Sequence, residues 1–170
     1  MTDKIIYLVG FMGAGKSAVG HQLAILLERP FIDLDEEIER RRGHPIREIF
    51  RLEGEAVFRA IESRELEHVS RQAGTVVALG GGTFCGDANR RFIETHGLSV
   101  WLDAPLEVLL SRCDRDGTRP LLAGRTEIEG LFERRRPLYA MADIRIDAAR
   151  NSTEQLAAEI AAVLANMNRS

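Results

Sequence analysis

The sequence has only two cysteines, Cys85 and Cys113, in 170 residues. That is too few for a disulfide framework or a cysteine-rich metal site, and both read as reduced thiols of a cytosolic protein. There is no surplus of positive charge: 23 Lys and Arg against 26 Asp and Glu leave a net charge of −3. A chain so balanced has no overall electrostatic reason to seek nucleic acid or an acidic membrane. No apolar run approaches the roughly 20 residues that span a bilayer. The N-terminus "MTDKIIYLVG" has one lysine and too short an apolar segment for a signal peptide. Internal repeats and low-complexity tracts are missing too. What is present is 45% hydrophobic and 29% charged, the balance of a soluble globular protein. The length suits one domain with a real core, and a cytoplasmic monomer with no nucleic-acid or membrane partner is expected.

Five short β-rich runs stand out: "KIIYLVG", "PFIDLD", "TVVALG", "LSVWLD" and "DIRID". Segments of helical character separate them. After Ser17, Val19, Leu23, Leu26 and Leu27 recur at helical spacing. Between Glu55 and Arg71, Val57, Phe58, Ile61 and Val69 can line one face, and Gly74 follows as a stop. "PLEVLLSRC" starts with proline at a first helical position. Ser152 and Gln155 have capping-box spacing ahead of the last helix. Such alternation predicts an α/β protein whose parallel sheet is covered on both faces. The segment Asp114–Gly130 shows no sustained periodicity, and reads as either a surface loop or a lid.

"GFMGAGKS", Gly10 to Ser17, matches G-x-x-x-x-G-K-[ST] between an apolar strand and an amphipathic helix. Its glycines allow backbone N–H groups to turn toward a polyphosphate, and the helix N-terminus adds partial positive charge. Lys16 can reach the β- and γ-phosphates and Ser17 can ligate Mg²⁺. A nucleoside triphosphate is the expected ligand. The chain contains no Asn-Lys pair, so it lacks the N-K-x-D element with which a regulatory GTPase reads guanine. A small-molecule kinase fits the size and needs groups for an acceptor. Asp33 and Asp35 lie at the end of the second β-rich run, where open α/β sheets place ligands. Alternation along a strand would point both to one side, with Leu34 opposite. They read as surface charge or as parts of a site. Arg59 and Glu62 are spaced for a helical ion pair, possible as a bidentate one. "ALGGGT" is either a tight loop or a place where backbone comes very close to something.

Taken together and in order, "GFMGAGKS", "DLDEEIERRRG", "IREIF" with "GEAVFRAIE", "LGGGT", "TRPLLAG" and "RRRPLY" make the chain resemble the shikimate kinases over essentially its full length. The resemblance implies a P-loop, nucleoside-monophosphate-kinase-like three-layer fold with a five-stranded parallel sheet. It implies one domain over residues 1–170, with the P-loop at 10–17, a substrate-binding region about 33–62 and a lid about 114–127. The implied reaction moves the ATP γ-phosphoryl to the 3-hydroxyl of shikimate, giving shikimate 3-phosphate and ADP on the way to chorismate and the aromatic amino acids. Mg²⁺ is the implied cofactor, held by Ser17 and, through water, by Asp33. Gly13, Ala14, Gly15, Lys16, Ser17 and Ala18 would cradle ATP, Arg112 and Arg150 would line adenine, and Arg119 would reach the phosphates. Asp35 would orient the acceptor hydroxyl and accept its proton. Arg59 and Arg135 would hold the shikimate carboxylate, with Gly80, Gly81 and Gly82 offering backbone contacts. Arg135 is chosen from "RRRPLY" because it lies two residues before Pro137. Lys16, Asp35 and Arg119 are the expected catalytic groups.

Ala18 stands where many shikimate kinases have threonine, and Met12 occupies a variable P-loop position. His21, His44, His68 and His96 form no paired motif. Asp103 reads as a residue preceding a helix rather than a second metal-binding acid. The alternatives are a kinase for another polyol acid such as gluconate, and an ATP-binding regulator without kinase activity.

Overall fold

A computed structural model describes residues 4–116 and 124–169. Five strands form one parallel sheet: β1 (Ile5–Val9), β2 (Phe31–Asp33), β3 (Val76–Ala78), β4 (Gly97–Asp103) and β5 (Ile144–Asp147), in the order β2-β3-β1-β4-β5. In β1, "IIYLV", every side chain is buried. A continuous apolar run is what a central strand covered on both faces requires. The helices are α1 (Lys16–Leu27), α2 (Leu34–Arg42), α3 (Ile46–Glu53), α4 (Glu55–Val69), α5 (Asp87–His96), α6 (Leu106–Asp116), α7 (Arg125–Tyr139) and α8 (Thr153–Met167). α1 packs on α8 and against β3, while α5 packs against β4.

β1 sits in the middle of the sheet, with β3 on one side and β4 on the other. The crossovers leave it in both directions, and at such a switch point the strand C-termini open a crevice. The loops after β1, β2 and β3 carry Gly10–Ser17, Asp33 and Gly80–Gly82 into it.

Several expected boundaries move. The second strand ends at Asp33, which is the N-cap of α2 and accepts from the Glu36 N–H at 3.2 Å. Asp35 is therefore helical, and strand alternation does not relate the two acids. Leu26 and Val57, expected on buried faces, are 48% and 43% exposed. On α4 the inward face carries Glu62 and Glu65 with Phe58, Leu66 and Val69. Pro105 precedes α6, whose first residue is Leu106. The irregular stretch Asp114–Gly130 is helical at both ends, since α6 runs to Asp116 and α7 starts at Arg125. Burial of Ile128 against the core anchors the start of α7. The capping box on α8 is present: Gln155 N donates to Ser152 Oγ and Ser152 N to Gln155 Oε1.

Candidate active site

The donor side begins at the turn after β1. Gly13 and Gly15 take φ of 76° and 87°, a left-handed conformation that a side chain would strain. Lys16 then opens α1. Its Nζ donates to the carbonyls of Gly10 at 2.7 Å and Phe11 at 3.1 Å. Part of the residue stays accessible, but the ammonium is enclosed by the loop. Desolvation lowers its pKa to about 8, against the opposing pull of Asp35 and Asp33.

The next residue, Ser17, donates its hydroxyl to Asp33 Oδ2. Asp33 thus joins the P-loop to the start of α2 through its two carboxylate oxygens. Among the described residues no cluster of three or more His, Cys, Asp or Glu could hold a metal ion. Two hard oxygen donors with phosphate and water completing the shell are what Mg²⁺ accepts, so Ser17 and Asp33 fit that ion.

A cleft of about 510 Å³ adjoins this loop, lined by Gly13, Gly15, Ala18, Arg112, Arg115 and Thr153 among others. Arg112 is tethered there by a 2.5 Å hydrogen bond from Nη2 to the Ala148 carbonyl. Arg150, expected beside it, is exposed and does not line the cleft. The capped start of α8 lines it instead, with Asn151 and Ser152. Arg115 and Asn151 carried no motif in the sequence. Arg119 lies outside the described residues.

The acceptor side forms around the glycine run after β3. A Cβ on Gly80 would lie 2.7 Å from Asp35 Oδ1, one on Gly81 3.2 Å from Arg135 Nη1, and one on Gly82 2.6 Å from both terminal nitrogens of Arg59. None of the three glycines has positive φ. Space, not backbone conformation, is what requires them. Three side chains from α2, α7 and α4 are brought together by the missing side chains of one loop. Arg59, Gly82 and Arg135 also line a cleft of about 640 Å³.

Glu62 anchors this side. It is 1% exposed, accepts from Arg59 Nη1 at 2.9 Å with one oxygen and from Thr83 Oγ1 at 2.7 Å with the other. The pair with Arg59 is therefore not bidentate, because Thr83 takes the second oxygen. Thr83 follows the glycines, so one buried carboxylate holds both the guanidinium and the loop. The Arg59 guanidinium also lies over the Phe58 ring, 5.3 Å from its centroid.

Burial raises the Asp35 pKa to about 6, with a further push from Asp33 and an opposing pull from Lys16. Asp35 and Lys16 thus act on one another electrostatically. A carboxylate of raised basicity facing a desolvated ammonium can accept a proton near neutral pH.

The neighbours of Arg135 go elsewhere. Arg134 stands at the rim of the acceptor cleft. Arg136 donates to Asp103 Oδ2 at 3.3 Å, and Arg145 to the same oxygen at 2.5 Å. Asp103 is thereby committed to two arginines. Cys113 is buried behind the P-loop and Cys85 borders the acceptor cleft. His21 packs edge-on against Phe31, His68 contacts Arg41, and His96 lies against Phe92; no histidine lines either cleft.

The shikimate kinase family profile matches residues 12–165. A shikimate kinase of Persephonella marina is 47% identical over 156 residues, covering 91% of this chain and 95% of its own. One of Gloeobacter violaceus is 51% identical over 149 residues, covering 85% and 83%. The solved structure of Acinetobacter baumannii shikimate kinase in complex with shikimate superposes with a TM-score of 0.89 at 40% identity, covering 96% of this chain and 94% of that one. Geometry and kinship agree, and the chain belongs to the shikimate kinase family.

Proposed function

We propose that this chain transfers the γ-phosphoryl of ATP to the 3-hydroxyl of shikimate, giving shikimate 3-phosphate and ADP. The observation that carries this reading is the glycine run, which meets one carboxylate and two guanidiniums at successive positions. Shikimate has one carboxylate and three hydroxyls. Two guanidinium forks suit the carboxylate better than lysines would. Asp35 suits a hydroxyl, orienting it and taking its proton as the phosphoryl arrives. Lys16, already desolvated, would lie against the phosphates. Ser17 and, through water, Asp33 would hold Mg²⁺, which when bound would supply charge neutralisation on the phosphate oxygens. Family pattern gives Arg119 a contact with the same phosphates. Phosphoryl transfer depends chiefly on such positioning and charge. Reduced Cys85 and Cys113 fit a cytosolic enzyme, which we take to act as a single-domain monomer.

ADP release in a coupled assay with shikimate, quinate and gluconate tests the assignment. Faster turnover on gluconate would overturn it, and ATP binding with no transfer to any acid would favour a regulator. Arg59→Ala should raise the shikimate KM by about 10- to 100-fold with a smaller change in kcat, because a charge-assisted contact to a ground-state carboxylate is lost. An unchanged KM would remove Arg59 from the acceptor site.

The two shifted groups also set a pH profile. Asp35 works as a carboxylate, so kcat/KM for shikimate should fall as pH drops below about 6. Lys16 works as a cation, so kcat/KM for ATP in the free enzyme should fall as pH rises above about 8. ATP should restore the ammonium, and calorimetry near pH 8.5 in buffers of different ionisation enthalpy should register proton uptake on binding. Proton release there would contradict the desolvated lysine.

A further inference from the structure

Tyr139 ends α7, is 1% exposed and lines neither cleft. Its hydroxyl donates to the Gly81 carbonyl at 2.5 Å. Burial pushes the phenol pKa well above its ordinary value, so the hydroxyl keeps its proton and remains a donor. Tyr139 lies four residues after Arg135, and residues so spaced project from one helix face. Arg135 already presses on the Cα side of Gly81. One face of α7 therefore fixes the middle glycine twice, by its carbonyl and by its missing side chain. The end of the helix is itself held, because Arg136 is paired with Asp103 and Tyr139 packs near Trp101, ring centroids 6.3 Å apart.

The direction of that carbonyl has a consequence one atom further on. No peptide bond in the described chain is cis, and in a trans peptide the C=O and the following N–H point in opposite directions. With the Gly81 carbonyl aimed at buried Tyr139, the Gly82 N–H is aimed away from the interior. Gly82 lines the acceptor cleft beside Arg59 and Arg135. Among the described residues no backbone carbonyl takes this N–H.

We propose that Tyr139 is a positioning residue for the acceptor. By holding the Gly81 carbonyl it turns the Gly82 N–H into the cleft, as a donor to an oxygen of the acid acceptor. The identity of that acid rests on the shikimate reading. Tyr139 would touch no substrate; beside the Gly81 carbonyl its hydroxyl also meets the Arg135 and Cys85 side chains, and the Gly82 amide resonance reads the loop's share apart from that of Arg135.

Tyr139→Phe removes one oxygen and keeps the ring. Tyr7→Phe is the matched control, since Tyr7 is fully buried, bonds Ser70 Oγ at 2.7 Å and lines neither cleft. Y139F should raise the shikimate KM about five- to twenty-fold, with kcat lowered less than about threefold and the ATP KM within about twofold. Y7F should leave all three within about twofold. In amide NMR spectra, shikimate should move the Gly82 resonance of the wild-type protein, and Y139F should displace Gly81 and Gly82 before any ligand is added. An unchanged shikimate KM in Y139F, or an equal rise in Y7F, would overturn the proposal. So would a wild-type Gly82 amide indifferent to shikimate, a reading that needs no folded variant. Failure of the shikimate reading shows separately, as wild-type protein that phosphorylates no shikimate. The titration is then made with whichever acid it does phosphorylate, and in the absence of one the Gly81 and Gly82 resonances of Y139F still decide whether Tyr139 sets the loop.

Discussion

Replacing Lys16 by alanine should lower kcat by about a thousandfold or more, which corresponds to roughly 4 kcal/mol of lost transition-state stabilisation. The reason lies in where the ammonium already is. Held by the Gly10 and Phe11 carbonyls and stripped of water, it has met its desolvation cost before ATP arrives. Charge developing on the moving phosphoryl group then meets a cation in a poorly screening environment. Alanine removes that cation and leaves the loop glycines intact, so ATP should still bind, though more weakly. Steady-state rates together with ATP titration separate the two effects. Turnover within about tenfold of wild type would contradict the role given to Lys16. Arginine should not rescue the activity, since a broad planar guanidinium does not replace a compact ammonium tucked under two carbonyls.

Asp35→Asn should cost about 10²- to 10³-fold in kcat while making the protein more stable. The shape of the side chain is kept, but the proposed proton acceptor is lost. The stability gain follows from the raised pKa. A carboxyl whose folded pKa, about 6, lies above its unfolded value weakens the fold when ionised. That cost is absent below about pH 4 and complete above about pH 6. The variant should therefore gain about 1–2 kcal/mol over wild type at pH 7 and almost nothing at pH 4. Denaturant unfolding at the two pH values measures this directly. The acid limb of the kcat/KM profile should also flatten. Equal stabilisation at both pH values would show that the burial of Asp35 is not responsible, and unimpaired kcat would remove it from proton transfer.

The donor side was legible in the sequence because its chemistry is compact. A strand, a glycine-rich turn, a lysine and a helix follow one another within Ile5–Leu27, so spacing alone determines the cradle. The acceptor side was legible only through family resemblance, because its parts come from α2, α4, the loop after β3, and α7. Distance in sequence hides such a meeting. The "RRR" of Arg134 to Arg136 shows how little local sequence can say: three adjacent guanidiniums face a cleft rim, a glycine and Asp103. At Asp33 the local sequence does carry a signal. An aspartate followed three residues later by glutamate has the pattern of a helix start, and it would have moved Asp35 from strand to helix. Burial of Glu62 and exposure of Val57 follow from tertiary contacts that periodicity does not contain. Tyr139 stands inside "RRRPLY", but nothing local gives it a role, since a tyrosine after "RRRPL" looks like any other aromatic at a helix end.

The glycine run also predicts where suppressor mutations would arise. A methyl group added at Gly80 is opposed by α2, at Gly81 by α7, and at Gly82 by α4. Three lesions in consecutive codons would thus be relieved, if at all, by second changes on three different helices. Activity lost at Gly82 could return only by shortening or shifting the side chain of Arg59, the very guanidinium proposed to hold the acid. That position therefore has the narrowest route back, and the run as a whole behaves under selection as three unrelated sites that happen to be neighbours.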